Sequence, residues 1–144
     1  MSLVYAFGPL LAQVLLVVIV YLELGRRRFR EGKARRIKFD DYKILPNNEI
    51  EYLGQATRNV VNQFELPVLF YVLVLSIAVT DTLGFFQLLL LWGFVVSRYL
   101  HAYSHLTSND VSVRGALFLT GFGLLAAAYL LFALRLAFGP VAVG

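Results

Sequence analysis

Four long stretches of the chain are apolar, and polar residues fall between them or in short rows within them. The first stretch, 3–24, is broken only by Gln13 and Glu23. It is about as long as a bilayer-spanning helix needs to be. A polar, basic segment follows at 25–48, with Gly25 and Gly32 as candidate breakers. The next stretch, 49–80, starts polar and turns apolar beyond Glu65. Pro46-Asn47-Asn48 reads as a turn into its N-terminus, and Glu49 and Glu51 place acids in the first turn. A helix of that length would run roughly 45–50 Å, more than the hydrocarbon core of a membrane. Its polar first half is therefore expected to project into the cytoplasm or line a cavity, and Pro67 is expected to kink it.

Thr80-Asp81-Thr82-Leu83-Gly84 predicts a tight turn. A third helix is expected over 85–106. Thr107-Ser108-Asn109-Asp110 carries helix-start residues, and a fourth helix is expected over 111–138, stopped by Gly139-Pro140. Gly115, Gly121, Gly123 and Ala126-Ala127-Ala128 offer that helix small surfaces for close contact. The expected fold is all-α: a four-transmembrane-helix bundle forming one membrane domain over 1–144.

Composition agrees with a membrane protein. Hydrophobic residues make up 59% of the 144, and the mean hydropathy is +0.71, well above a soluble domain. There is no cysteine. Disulfides, thiolate nucleophiles and cysteine metal sites are excluded together, and any thiol chemistry must come from a cosubstrate. The start of the chain lacks a positive n-region, and its apolar run is long for a signal peptide, so a retained span is expected.

The placement of charge says more than its sum of +4. Nine of the 13 basic residues are Arg26, Arg27, Arg28, Arg30, Lys33, Arg35, Arg36, Lys38 and Lys43. Between two spans such a run reads as a cytoplasmic loop rather than a nucleic-acid surface. Lipid head groups or an anionic substrate could use the same charges. With that loop inside, both termini and the turn at Asp81 face outward, and the loop at Asn109 faces the cytoplasm. Arg135, near the outer end of the last span, reads as an interface anchor.

Two rows of polar residues carry the candidate chemistry. On an ideal helix Arg58, Asn62 and Glu65 fall within about 60° of one another, with Glu51 and Gln55 extending the stripe. In the third helix Arg98, His101 and His105 are spaced i, i+3, i+7, and Gln87 falls on the same face. Arg114 opens the fourth helix at the same depth. Intramembrane ions seek partners, so these residues could also serve as interhelical glue, with Arg58 or Arg98 paired to Glu65. Taken as a set, they are a net-positive pocket suited to a carboxylate or thiolate ligand. Two histidines without an obvious third ligand do not make a metal site. No nucleophile elbow, phosphate-binding glycine loop or paired-carboxylate signature is present.

Arg58-x-x-x-Asn62-x-x-Glu65 closely followed by Pro67 resembles the second-helix signature of the MAPEG family, the membrane-associated proteins in eicosanoid and glutathione metabolism. Arg98-x-x-His101, with Arg114 sixteen residues after Arg98, resembles the same family, and its prokaryotic members most closely. The likeness covers essentially the whole chain. It implies a homotrimer of left-handed four-helix bundles in a membrane, here a bacterial inner membrane. It implies a glutathione-dependent transferase or peroxidase acting on lipophilic substrates that enter from the lipid. Glutathione would bind in a cytoplasm-facing pocket between subunits, through Arg58, Asn62, Glu65, Arg98 and His101. Arg114 would stabilise the thiolate. Where glutathione-using eukaryotic members carry a tyrosine, this chain has His105, which can donate a hydrogen bond or titrate near neutral pH. The alternative is a non-catalytic membrane protein that holds a lipid head group or another anion in the same pocket.

Overall fold

The computed structural model describes residues 4–34 and 50–139, and these are helical apart from short turns. The helices are α1 (Val4–Lys33), α2 (Glu51–Asn62), α3 (Leu66–Thr80), α4 (Phe85–Leu106) and α5 (Val111–Phe138). Four helical stretches are long and apolar enough to cross a membrane: α1, the α2–α3 pair taken together, α4 and α5. The expected turn at Pro46-Asn47-Asn48, Glu49 and the cations from Arg35 to Lys43 lie outside the described residues.

Two boundaries differ from the sequence expectation. First, α1 does not end near residue 24 but continues through Gly25 to Lys33. Interior glycine costs about 1 kcal/mol relative to alanine, and local contacts offset it. Glu23 accepts from Arg26 and Arg27 one turn on, at 2.7 Å each. Arg30 and Lys33 favour the carbonyl end of the helix dipole. The first part of the basic segment is thus helix, not loop.

Second, the helix expected over 49–80 is broken at Gln63-Phe64-Glu65. Pro67 lies in the first turn of α3, where its missing N–H is not needed. The chain upstream cannot continue as one ladder, and α2 closes with short bonds from Gln63 N to Val60 O (3.0 Å) and from Phe64 N to Val61 O (2.9 Å). The expected kink is therefore a break three residues long.

The other turns follow from local chemistry. Asp81 ends α3 in the left-handed region at φ 50°. Asp110 caps α5, its Oδ1 accepting from Ser112 N at 2.8 Å and Val113 N at 3.2 Å. Arg135 Nη1 donates to Thr82 O at 2.8 Å, and its guanidinium fills the space a Cβ on Gly84 would take. Arg135, expected as an interface anchor, ties α5 to the α3–α4 turn.

The apolar core lies where α1, α3, α4 and α5 meet. Phe70 stacks on Phe94 with ring centroids 4.7 Å apart, among Leu73, Val74, Ile77, Leu91 and Leu125. α4 is the central helix, and α5 packs mainly along it. Of the small residues expected to line the α5 contact, Gly121 and Ala128 are buried, whereas Gly115 and Gly123 face open space. A Cβ at Gly121 would lie 2.8 Å from Ser97 Oγ, a hydroxyl held by Phe94 O at 2.6 Å. Gly121→Leu is therefore expected to force α4 and α5 apart and destabilise the fold by about 2 kcal/mol. The check is the apparent Tm of the purified protein in detergent. Many large apolar side chains stay exposed on the outside, Leu11, Leu22, Val79 and Leu119 among them. Lipid tails solvate such a surface without penalty.

Candidate functional site

Polar side chains gather at the end of the bundle that carries the basic segment. α4 presents an inward row there: Ser97, Arg98, His101, Ser104 and His105 are all buried. Arg98 and His105 are fully so. The i, i+3, i+7 spacing carries over directly into this row. The His101 and His105 rings lie edge to face at 5.9 Å. Phe118 of α5 covers His101 at 6.1 Å and lies 6.0 Å from Arg98 Cζ. Arg98 Nη2 donates to Asn62 O at 3.0 Å. The remaining Arg98 N–H groups, both ring nitrogens of His105, His101 Nδ1 and Ser104 Oγ have no hydrogen-bond partner among the described residues.

Arg114, half-buried at the start of α5, reaches Asn109 Oδ1 at 2.7 Å, with its Nε buried and unpartnered. Asn109 adopts φ 52°, a left-handed conformation asparagine tolerates, and its N–H bonds Ser104 O at 2.8 Å. The α4–α5 turn thus holds Arg114 within electrostatic reach of His101 and His105. Arg58 lies within electrostatic reach of Arg114 and His105.

The second-helix row does not form the single inward stripe expected of an unbroken helix. Arg58 is exposed, Asn62 is half-buried, and Glu65 is exposed within the break. Glu65 attracts Arg98 electrostatically, yet no ion pair joins Glu65 to Arg58 or Arg98 among the described residues. The pairing considered as interhelical glue is therefore absent. Gln87, expected on the Arg98 face, is buried and donates to Ala128 O at 3.0 Å. Tyr103 points outward.

Sequence reasoning missed the residues that face inward on α2. Asn59 Nδ2 donates to Ala102 O of α4 at 3.2 Å. Gln63 Nε2 donates to Asn59 Oδ1 at 3.2 Å, and Gln63 Oε1 accepts from Gln13 Nε2 of α1 at 3.1 Å. All three side chains are buried. Their signal was present: two amides four residues apart, and one amide inside an apolar run. Gln63→Leu is expected to lower stability by about 1 kcal/mol, the modest scale of polar contacts between membrane helices. A thermal melt in detergent reads it.

Arg27 was also unforeseen. It is buried where α1, α2 and α4 meet, donating to Glu23 Oε1 (2.7 Å), Tyr52 O (2.8 Å) and Leu106 O (3.0 Å). Its guanidinium lies 4.0 Å over the Tyr52 ring.

A bundle that is helical throughout its described residues apart from short turns, with four membrane-length segments and buried basic side chains at one end, defines an integral membrane protein. The chain belongs to the MAPEG family, whose family model matches residues 6–134. The family includes glutathione-dependent transferases and peroxidases as well as non-catalytic members. No individual curated protein and no solved structure gave a match.

Proposed function

We propose that this protein is a glutathione-dependent membrane enzyme, a transferase or peroxidase for lipophilic substrates. The observation that carries the reading is the convergence of Arg98, His101, His105 and Arg114, whose nitrogens are in part unpartnered and touch no carboxylate among the described residues. Such a donor set fits a ligand bearing carboxylates and a thiolate. Glutathione would supply the thiolate nucleophile. Arg58 would hold a carboxylate, Asn62 would bind beside it, and Glu65 would receive the ammonium. Arg98, His101 and His105 would form the inner wall, and Arg114 would favour the ionised thiol. Arg58 and Glu65 face outward in the single chain, which supports a pocket completed by a neighbouring subunit of a homotrimer. That pocket would face the cytoplasm from a bacterial inner membrane.

The test is a titration of purified protein with glutathione while thiolate absorbance is followed. Saturable thiolate formation is expected, and no binding at millimolar glutathione would sink the reading. His105, with both ring nitrogens unpartnered among the described residues and no hydroxyl to offer a thiol, favours one alternative: a non-catalytic protein holding a lipid head group or another anion in the same pocket. Mass spectrometry of gently extracted protein would then show a retained lipid instead of glutathione.

A further inference from the structure

The break between α2 and α3 joins two helices that both pack on α1 but differ in their polar fastenings. α2 is fastened to α1 and α4 through Gln63, Asn59 and the Arg27 contact at Tyr52 O. α3 packs on α1, and through Phe70 on Phe94 of α4, and its polar link is to α5, where Tyr129 OH donates to Leu69 O at 2.8 Å. Three residues join the two pieces, and Glu65 among them has non-helical angles, φ −95° and ψ −104°. The last carbonyls of a helix lack internal partners. At this junction the carbonyl of Asn62, the final residue of α2, accepts from Arg98 Nη2 at 3.0 Å. A guanidinium at a helix C-terminus is also favoured by the helix dipole, more so in a low dielectric. Arg98 reaches this point from α4 beside Gly121, where a Cβ would lie 3.9 Å from its Cδ.

We propose that Arg98 is a positioning residue: by gripping the Asn62 carbonyl it fixes the angle between α2 and α3, and so sets where Arg58 and Glu65 stand relative to each other. Arg58 lies on one side of the break and Glu65 within it. Neither has a described hydrogen-bond or ion-pair partner to fix it independently. Only the consequence for ligand capture rests on the glutathione reading; the consequence for chain geometry does not.

The absence of native cysteine makes a direct measurement simple. Spin labels go on Val61→Cys and Leu75→Cys, exposed positions on α2 and α3. The labelled chain is diluted with unlabelled chain, so that only distances within one chain are read. Arg98→Met is expected to shift and broaden the interspin distance distribution, and to weaken glutathione binding about tenfold. Arg98→Lys keeps a charged donor and is expected to restore most of both. Should the Met chain not fold, Arg98→Gln, polar but shorter, is compared with Arg98→Lys in the same way.

Unchanged distances in Arg98→Met, or in Arg98→Gln where that is the chain read, overturn the proposal, whatever happens to binding. Lost binding at unchanged distance would make Arg98 a direct ligand contact instead. A shifted distance in a protein that never binds glutathione supports the positioning role while removing the glutathione reading.

Discussion

Arg27→Ala is expected to lower the stability of the fold by about 3 kcal/mol, the cost of stranding buried partners of a charged donor. The Arg27 side chain is only 4% exposed. Its fork serves three helices at once, through Glu23, Tyr52 O and Leu106 O. Removing it leaves the Leu106 carbonyl at the end of α4 without this donor and takes one guanidinium from the Tyr52 ring, over which Arg30 stays at 4.6 Å. Glu23 keeps Arg26, so the carboxylate is not stranded and the loss stays below that of an isolated buried charge. Arg27→Lys is expected to recover only part, because one ammonium cannot reproduce the planar fork. Arg26→Ala is the control: that side chain is 63% exposed, and exposed ion pairs contribute little. A drop in apparent Tm for Arg27→Ala no larger than for Arg26→Ala would refute the staple.

On the proposed glutathione reading, Arg114→Ala is expected to abolish most thiolate formation at neutral pH while leaving the bundle nearly as stable. Its one described side-chain bond is to Asn109 in a surface turn, so little packing is lost. Its charge, by contrast, acts across the low-dielectric site. A cation within a few ångströms lowers a thiol pKa by about one to three units. The sign follows directly. Without Arg114 the bound thiol titrates closer to its ordinary value near 8.5, so thiolate absorbance and activity should move to higher pH. Arg114→Lys should restore part of the shift. Equal pH profiles for Arg114→Ala and the parent chain would remove Arg114 from the chemistry. A collapse in Tm that tracks the loss of signal would reassign it to the fold.

Much of the fold could be read from particular residues. Four apolar segments of membrane length, acids and caps at helix starts, and Pro67 each have a local cause that acts whatever the neighbours are. Asp110 caps α5 because a carboxylate two or three residues before free N–H groups meets them in any context. Arg98, His101 and His105 share a face because one unbroken helix holds all three. The row Arg58, Asn62, Glu65 failed the same extrapolation, because the backbone breaks between its second and third members.

What the sequence determined by itself was therefore the periodic and the local: the spans, the Asp110 cap, a disturbance of the helix near Pro67, and the rows on continuous helix. What only the tertiary structure decided was the rotation of each helix about its own axis. That rotation turned Asn59 and Gln63 inward, left Arg58 outside, and buried Arg27. The physical reason is the solvent. In water an apolar face marks the interior. In lipid both faces of a helix are apolar, so hydrophobic pattern no longer distinguishes inside from outside. The choice passes to close packing, as at Gly121, and to polar contacts between helices, as at Gln13, Gln63 and Arg98.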